Sequence, residues 1–297
     1  MLVVACGVLA ILQYRWTGEL SRAESERLRR GAGAQLSQLA RAFDSELRRA
    51  VIDLVPKPER VASDGWERAN VEQVSAALKR MERPMFRRVF AAVPSGPAGS
   101  GALNLYQASP DGSRFSSAAW PETSEWQFLR KRLSALLEGA PPFGDIVDPL
   151  SNLIEAPVFG EGGEQEWVIA ELDVDYVASV WLPELVRTYL NGTKDGSFRF
   201  DVRWREAPAR VVFSTAGAPA GGRADGEATI FPTRFLHGGP GGRGEDGGHP
   251  GRWMLEARHT GGTIEAAVAS SRRRNLGVAL ALLLLIAGTG ATLIRNT

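Results

Sequence analysis

Cysteine is almost missing from this chain: Cys6 is the one cysteine in 297 residues. A lone cysteine cannot form an intramolecular disulfide, which excludes a stapled secreted mini-fold and any zinc site needing two thiolates. Histidine is scarce as well. His237, His249 and His259 are the three present, and two of them lie in or beside a glycine-rich stretch. No charge sign is in surplus, since 35 Lys plus Arg against 34 Asp plus Glu leave a net +1. That excludes a global basic field for nucleic acid and an acidic tail. The motifs G-x-x-x-x-G-K-S/T, G-x-S-x-G, H-E-x-x-H and paired C-x-x-C do not occur, so phosphate loops, nucleophile elbows and helix-borne zinc sites have no sequence basis. As a sequence the chain does not read as an enzyme. It offers no catalytic, cofactor-binding or metal-binding residues to name, and it calls for no cofactor of its own.

What is present is an uneven distribution of apolar residues, which make up 44% of the chain against 23% charged. Leu276 to Ile294 is nineteen residues without a charge. Such a helix matches a hydrocarbon core of about 30 Å, and its aliphatics favour insertion by about 3 to 6 kcal/mol. Met1 to Leu12 is also apolar and is followed by Tyr14, Arg15 and Trp16, an arrangement typical of a membrane interface. A signal peptide would fit this length, but the basic start and a small-x-small cleavage site before Gln13 are missing. A lipoprotein signal ending at Cys6 would turn polar there, and this run stays apolar. We therefore expect two transmembrane helices: residues 1–16, lacking their natural start, and residues 276–294. The expected anchors at the membrane surface are Tyr14, Trp16, Arg272, Arg273 and Arg274, touching membrane lipid. Residues 17–271 would lie outside the cytoplasm of a bacterial inner membrane, because long loops cross largely regardless of charge; the arginine triplet speaks against that orientation.

Between these ends, Leu36, Leu39, Phe43, Leu47, Ala50 and Leu54 recur at helical spacing, with Arg41, Asp44, Glu46, Arg48 and Arg49 on the other face. This predicts a helix over 17–58, weakened at Gly31 and Gly33 and ended by Pro56 and Pro58. It would serve as a core helix, a dimerising signalling helix, or both. A short helix follows at 71–81. Strands are predicted at 86–93, 102–107 and 114–120, and a helix at 125–138. A second unit then holds strands at 154–159 and 166–173, a helix at 176–190 with Val177, Val180, Leu185 and Tyr189 inward, and strands at 198–205, 210–214 and 253–259. Residues 216–251 are rich in glycine and proline and read as an exposed loop. A connecting helix would occupy 263–275. The class is α+β, with a sheet covered by helices on one face. The strand and helix order resembles PAS-like and Cache-like sensor modules, with one or two units between 59 and 262.

Candidate chemistry in this region has mostly structural explanations. Glu171, Asp173 and Asp175 alternate along a strand, and could do acid–base work or bind a cation. A solvent-facing edge fits better, with Asp175 capping the following helix. Trp204 between Arg203 and Arg205 could shape an anion or aromatic-ligand pocket, but alternation makes Trp204 a core residue. His237 and His249 with Glu245 and Asp246 could touch a metal only if their loop became ordered. Asn191-Gly192-Thr193 matches a glycosylation triplet and reads better as a helix end. Gly277/Ala281 and Ala287/Ala291 have the small-xxx-small spacing that allows close helix approach.

The segments LQYRWTGELSRAESERLRR, FGEGGEQEWVIAELDVDYVASVWLPELVRTYL and EAAVASSRRRNLGVALALLLLIAGTGATLIRNT, in that order, resemble the input half of a bacterial membrane-bound sensor histidine kinase. The resemblance implies a two-component phosphorelay, a homodimer and a signal ligand it does not identify. It also implies a response regulator reached through a kinase domain, which would bring ATP and Mg. No H-E-L/I-R-T-P box or ATP-lid glycine motif is found, so none of that family's catalytic residues can be placed here. Other outputs, such as a chemoreceptor or a cyclic-dinucleotide synthase, or a membrane-anchored periplasmic binding or scaffold protein, fit the same layout.

Overall fold

The computed structural model describes residues 2–97, 99–140, 148, 150–159, 165–190, 198–216, 224–231 and 251–260, with isolated residues between 263 and 289. Its spine is α1 (Leu2–Leu54), one helix of 53 residues, about 80 Å long at 1.5 Å per residue. Gly31 and Gly33 do not interrupt it. Each costs only about 1 kcal/mol relative to alanine, too little to break a helix whose next turns are buried. All six residues of the predicted stripe are inside: Leu36, Leu39, Phe43, Leu47, Ala50 and Leu54. After Pro56, α2 (Pro58–Asp64) starts on a proline, whose missing N–H is harmless in a first turn. Gly65, at φ 77°, then turns the chain into α3 (Trp66–Arg80).

Three strands follow, β1 (Phe86–Pro94), β2 (Leu103–Ala108) and β3 (Phe115–Ala118), then α4 (Ser124–Leu137), β4 (Leu153–Phe159) and β5 (Gln165–Leu172). They form one antiparallel sheet in the order β3-β2-β1-β5-β4. Alternation splits its side chains between two cores. Val89, Ala91, Val168 and Ala170 join the core that contains the α1 stripe. Phe90, Ala92, Trp167 and Ile169 meet Trp126, Leu129 and Leu133 of α4.

A helical segment comes next: α5 (Val174–Tyr176), a π-helical turn (Val177–Trp181) and α6 (Leu182–Leu190). Then β6 (Phe198–Trp204), β7 (Val211–Ser214), β8 (Gly226–Ile230) and β9 (Trp253–His259) form a second antiparallel sheet, ordered β7-β6-β9-β8. The inward faces of β6 and β9 (Phe200, Val202, Trp204, Trp253, Leu255 and Ala257) belong to the same core as α1.

The α+β class holds, with corrections. The predicted unit boundary before residue 154 falls inside a sheet. The central residues of β1 are buried on both faces and need two neighbours, so β5 pairs with β1 across the α4 excursion. A strand, β8, lies in the stretch expected to be a loop, because Gly226 and Ile230 fit between β9 and α1; residues 217–223 and 232–250 are outside those described. The expected membrane spans are overturned: among the described residues no helix is long and apolar enough to cross a membrane. The inner-membrane location falls with them. In α1 the apolar block ends at Leu12, about 18 Å from its start, and polar turns continue the same helix. Most of 276–294 lies outside the described residues, where only separate positions such as Val278 and Leu285 are placed, both exposed.

Candidate functional site

The π-helical turn and the second sheet meet α1 at Phe43, in a core that one face of the first sheet joins. The Phe43 ring stacks on Trp181 with centroids 4.4 Å apart and lies 5.9 Å from Trp253. Trp253 in turn meets Phe231 at 4.9 Å and the edge of Trp204 at 5.8 Å. The π-helical turn explains how Trp181 arrives there. Its wider turn puts Trp181, rather than the predicted Val180, beneath Val177; Trp181 is buried and Val180 is 38% exposed. Leu182 and Leu185 continue the buried face, and Tyr189 is half-buried. The Trp181 indole donates to Glu46 at 3.3 Å, and Glu46 also pairs with Arg83, which reaches Glu184. Beside this triad is a 280 Å³ cavity between α1 and α3, whose charged lining includes Glu46, Arg49, Asp53, Arg80 and Arg83.

One arginine joins the sheets. Arg252, just before β9, is 2% exposed, and its Nη1 donates to the carbonyls of Ser151 and Leu153 at 2.6 and 2.7 Å. Those carbonyls lead into β4 of the first sheet. The guanidinium lies 4.4 Å over the Phe231 ring, its backbone N–H donates to the Phe231 carbonyl, and its Nε has no partner. Burial, reinforced by the charge of Arg132, pulls the Arg252 pKa down to about 9 against the opposing influence of Asp148 and Glu125. Glu125, at the start of α4, is shifted up by burial and by Glu171 and Asp148; the Asn152 backbone N–H and Arg210 act the other way. Arg88 pairs with Glu171 at 2.6 Å, and Arg132 pairs with Glu155. Arginines and carboxylates thus line the seam, an arrangement suited to ionic recognition and mechanical linkage.

The seam is also tied to α1. Asp44 Oδ1 accepts the Phe231 N–H at 2.9 Å. Burial raises the Asp44 carboxyl to about 7, against that hydrogen bond and the charge of Arg48. At the other end of β8, a Cβ on Gly226 would meet Leu36 Cδ1 at 3.2 Å and the Gly33 nitrogen at 3.7 Å. Eleven residues of helix from Gly33 to Asp44 rise about 16 Å, as do five of strand from Gly226 to Phe231. The strand therefore lies along the helix and touches it at both ends. Asp225 then accepts the N–H groups of His259 and Ile264, linking the start of β8 to the chain after β9.

The residues singled out in the sequence take other places. Glu171 is on the seam, held by Arg88. The cap of the helical segment is Asp173, whose carboxylate accepts the Tyr176 N–H at 2.9 Å; Asp175 is exposed in the first turn. Trp204 is core, as expected, with Arg210 over its ring at 4.9 Å. Arg203 points away from that core, yet it joins a shielded network with Asp201, Glu256 and Arg258. Trp16, Arg273 and Arg274 are exposed and far along the chain from the seam, while Arg272 and the Tyr14 side chain are outside the described residues. So are the Asn191 triplet, His237, His249, Glu245 and Asp246; among the described residues no group of three or more His, Cys, Asp or Glu could hold a metal. Sequence reading missed Arg252, Glu125, Phe231 and the inward role of Asp44. The signal for Asp44 was an acid on the i, i+4 row that begins with Leu36 and Ala40.

No protein-family model matches the chain, and no curated protein matches it. The fold and site define a class by architecture alone: a two-sheet α+β module assembled on one long helix.

Proposed function

We propose that this chain is the sensory input region of a signalling protein, with α1 as its transmitting element and a sensor histidine kinase as its output. The observation that carries the reading is the shared junction at Phe43. Both sheets and the π-helical turn pack on one helix, so a change in either sheet alters the contacts of α1. A ligand that prefers one arrangement shifts the population toward it. The 280 Å³ cavity beside Glu46 is the place where a small charged effector would compete with the Arg83 and Trp181 contacts and so act on the junction. The kinase output and the homodimer come from the sequence resemblance. The test is to read the gene beyond Thr297 and incubate its full product with labelled ATP. Acid-labile phosphate on a histidine supports the reading. A stop codon after Thr297, or a product that never becomes labelled, overturns the kinase output.

A further inference from the structure

We propose that the cleft between α1 and the end of α3 binds a free α-amino acid with an aliphatic side chain. The rim holds its ammonium and carboxylate groups, and its side chain lies on an apolar floor. This names the ligand class of the cavity invoked above; its role as a stimulus rests on the input-region reading, whereas the binding itself does not.

Contacts between the two walls bound the cleft at both ends. Gln73 of α3 donates to the Asp53 carbonyl at 2.7 Å, and Arg83, just past α3, pairs with Glu46 at 3.1 Å. At 1.5 Å per residue, Glu46 and Asp53 are about 10 Å apart along α1. The volume between them is 280 Å³, just under the range of about 300–1,000 Å³ common for small-molecule sites, so the occupant is small. The space exists because Ala50 and Ala77, both buried, stand where longer side chains would fill it. Met81 and Met85 complete the floor, and their flexible thioethers adapt to an apolar guest.

The rim carries both signs of charge. Arg49 and Asp53 lie one turn apart on α1, Arg80 ends α3, and Glu82 follows it. Among the described residues none of these four side chains forms an ion pair or a hydrogen bond, whereas Arg83 beside them is committed to Glu46 and Glu184. An inorganic anion drawn by Arg49 and Arg80 would also meet the carboxylates of Asp53 and Glu82, and a metal cation would meet the reverse. Each would lose at one pair what it gained at the other. A molecule with a positive and a negative group a few ångströms apart satisfies both pairs. An aliphatic side chain then displaces water from the floor, which a polar one would not do favourably. Exposed ion pairs are individually weak, so the expected affinity is micromolar to millimolar.

Occupancy has a direct route to the junction at Phe43. Arg83 lines the same space, so a ligand carboxylate that draws it competes with Glu46. The other oxygen of Glu46 accepts the Trp181 indole N–H at 3.3 Å.

Calorimetric titration of the full chain with L-valine, L-leucine and L-methionine tests this, each beside its analogue lacking the ammonium group and its analogue lacking the carboxylate. At least one amino acid should bind with Kd below about 1 mM, and both of its analogues should bind at least about tenfold more weakly. Asp53→Asn and Arg80→Gln should each weaken the amino acid by a similar factor. The analogue comparison uses the native protein and needs no variant to fold. Absence of binding by all three amino acids, an analogue within tenfold of its parent, or undiminished affinity in either variant overturns the proposal. Amino-acid binding in a protein whose full gene product never labels a histidine leaves the site standing and removes the kinase output.

Discussion

Arg252 shows how much one side chain contributes by geometry rather than by charge alone. One corner of its guanidinium, Nη1, reaches the carbonyls of Ser151 and Leu153 while its face lies on Phe231. Lysine keeps the charge but not the flat face that lies on Phe231, and its ammonium is harder to desolvate. Arg252→Lys should therefore cost about 1–3 kcal/mol of stability, read from urea unfolding; a change below about 0.5 kcal/mol would mean the guanidinium face on Phe231 is idle. The helix cap offers a sharper contrast between neighbours. Asp173→Ala should cost about 1 kcal/mol, whereas Asp175→Ala should stay within about 0.5 kcal/mol; the reverse order would restore Asp175 as the cap. Asp44 adds a pH dependence whose sign follows from its raised pKa. The folded state holds the proton more tightly, so the contribution is full below about 4 and is lost as pH rises through about 7. Relative to Asp44→Asn, the native protein should lose on the order of 4 kcal/mol between pH 4 and 8, measured by urea titration at each pH. A flat difference would mean the carboxyl is hydrated after all.

Among the elements, α1 and β8 depend on each other. Gly31 and Gly33 look alike as helix weakeners in the sequence, but only Gly33 lies against β8 through Gly226, while a Cβ on Gly31 would meet nothing within 4 Å. Gly31→Ala should stabilise the protein by up to about 1 kcal/mol. Gly226→Val should destabilise it by about 1–3 kcal/mol through overpacking against Leu36. Thermal melts of the two variants give the comparison, and a neutral Gly226→Val would show that the strand does not rest on the helix as described. The π-helical turn makes a related point. An α-helical period puts Val180 on the buried face, and one wider turn exchanges it for Trp181. The period of a short helical segment is set by the pocket it must fill, and here that pocket is the ring of Phe43.

For the molecule as a whole, Phe43 lies in the core that α1 shares with the second sheet and one face of the first. Truncating it to alanine removes a stacked ring from a fully packed junction, a change that costs about 3–5 kcal/mol. Amide exchange should show both sheets losing protection together in Phe43→Ala. Loss confined to one sheet would mean that they are independent units and that α1 does not couple them.

How much of this was legible beforehand depended on the range of the interactions. The α1 stripe, most strands and the burial of Trp204 follow from periods of 3.6 and 2, which local sterics impose on any chain. The apolar ends were legible as composition, but a run of apolar residues does not state where its helix stops, and α1 continues from Leu2 past Leu12 into polar turns. Hidden altogether were the pairing of β1 with β5, the strand inside the glycine-rich stretch, the cap at Asp173 and the inward turn of Asp44. Each is decided by partners distant in sequence: Arg252 and Ser151 are 101 residues apart, and Asp44 and Phe231 are 187 apart. The sequence by itself determined most of the segments that would be helix or strand and most of the faces that would be apolar. Only the tertiary structure decided which charges would be buried and what would hold them, because desolvation and hydrogen bonding act between groups that only folding brings together.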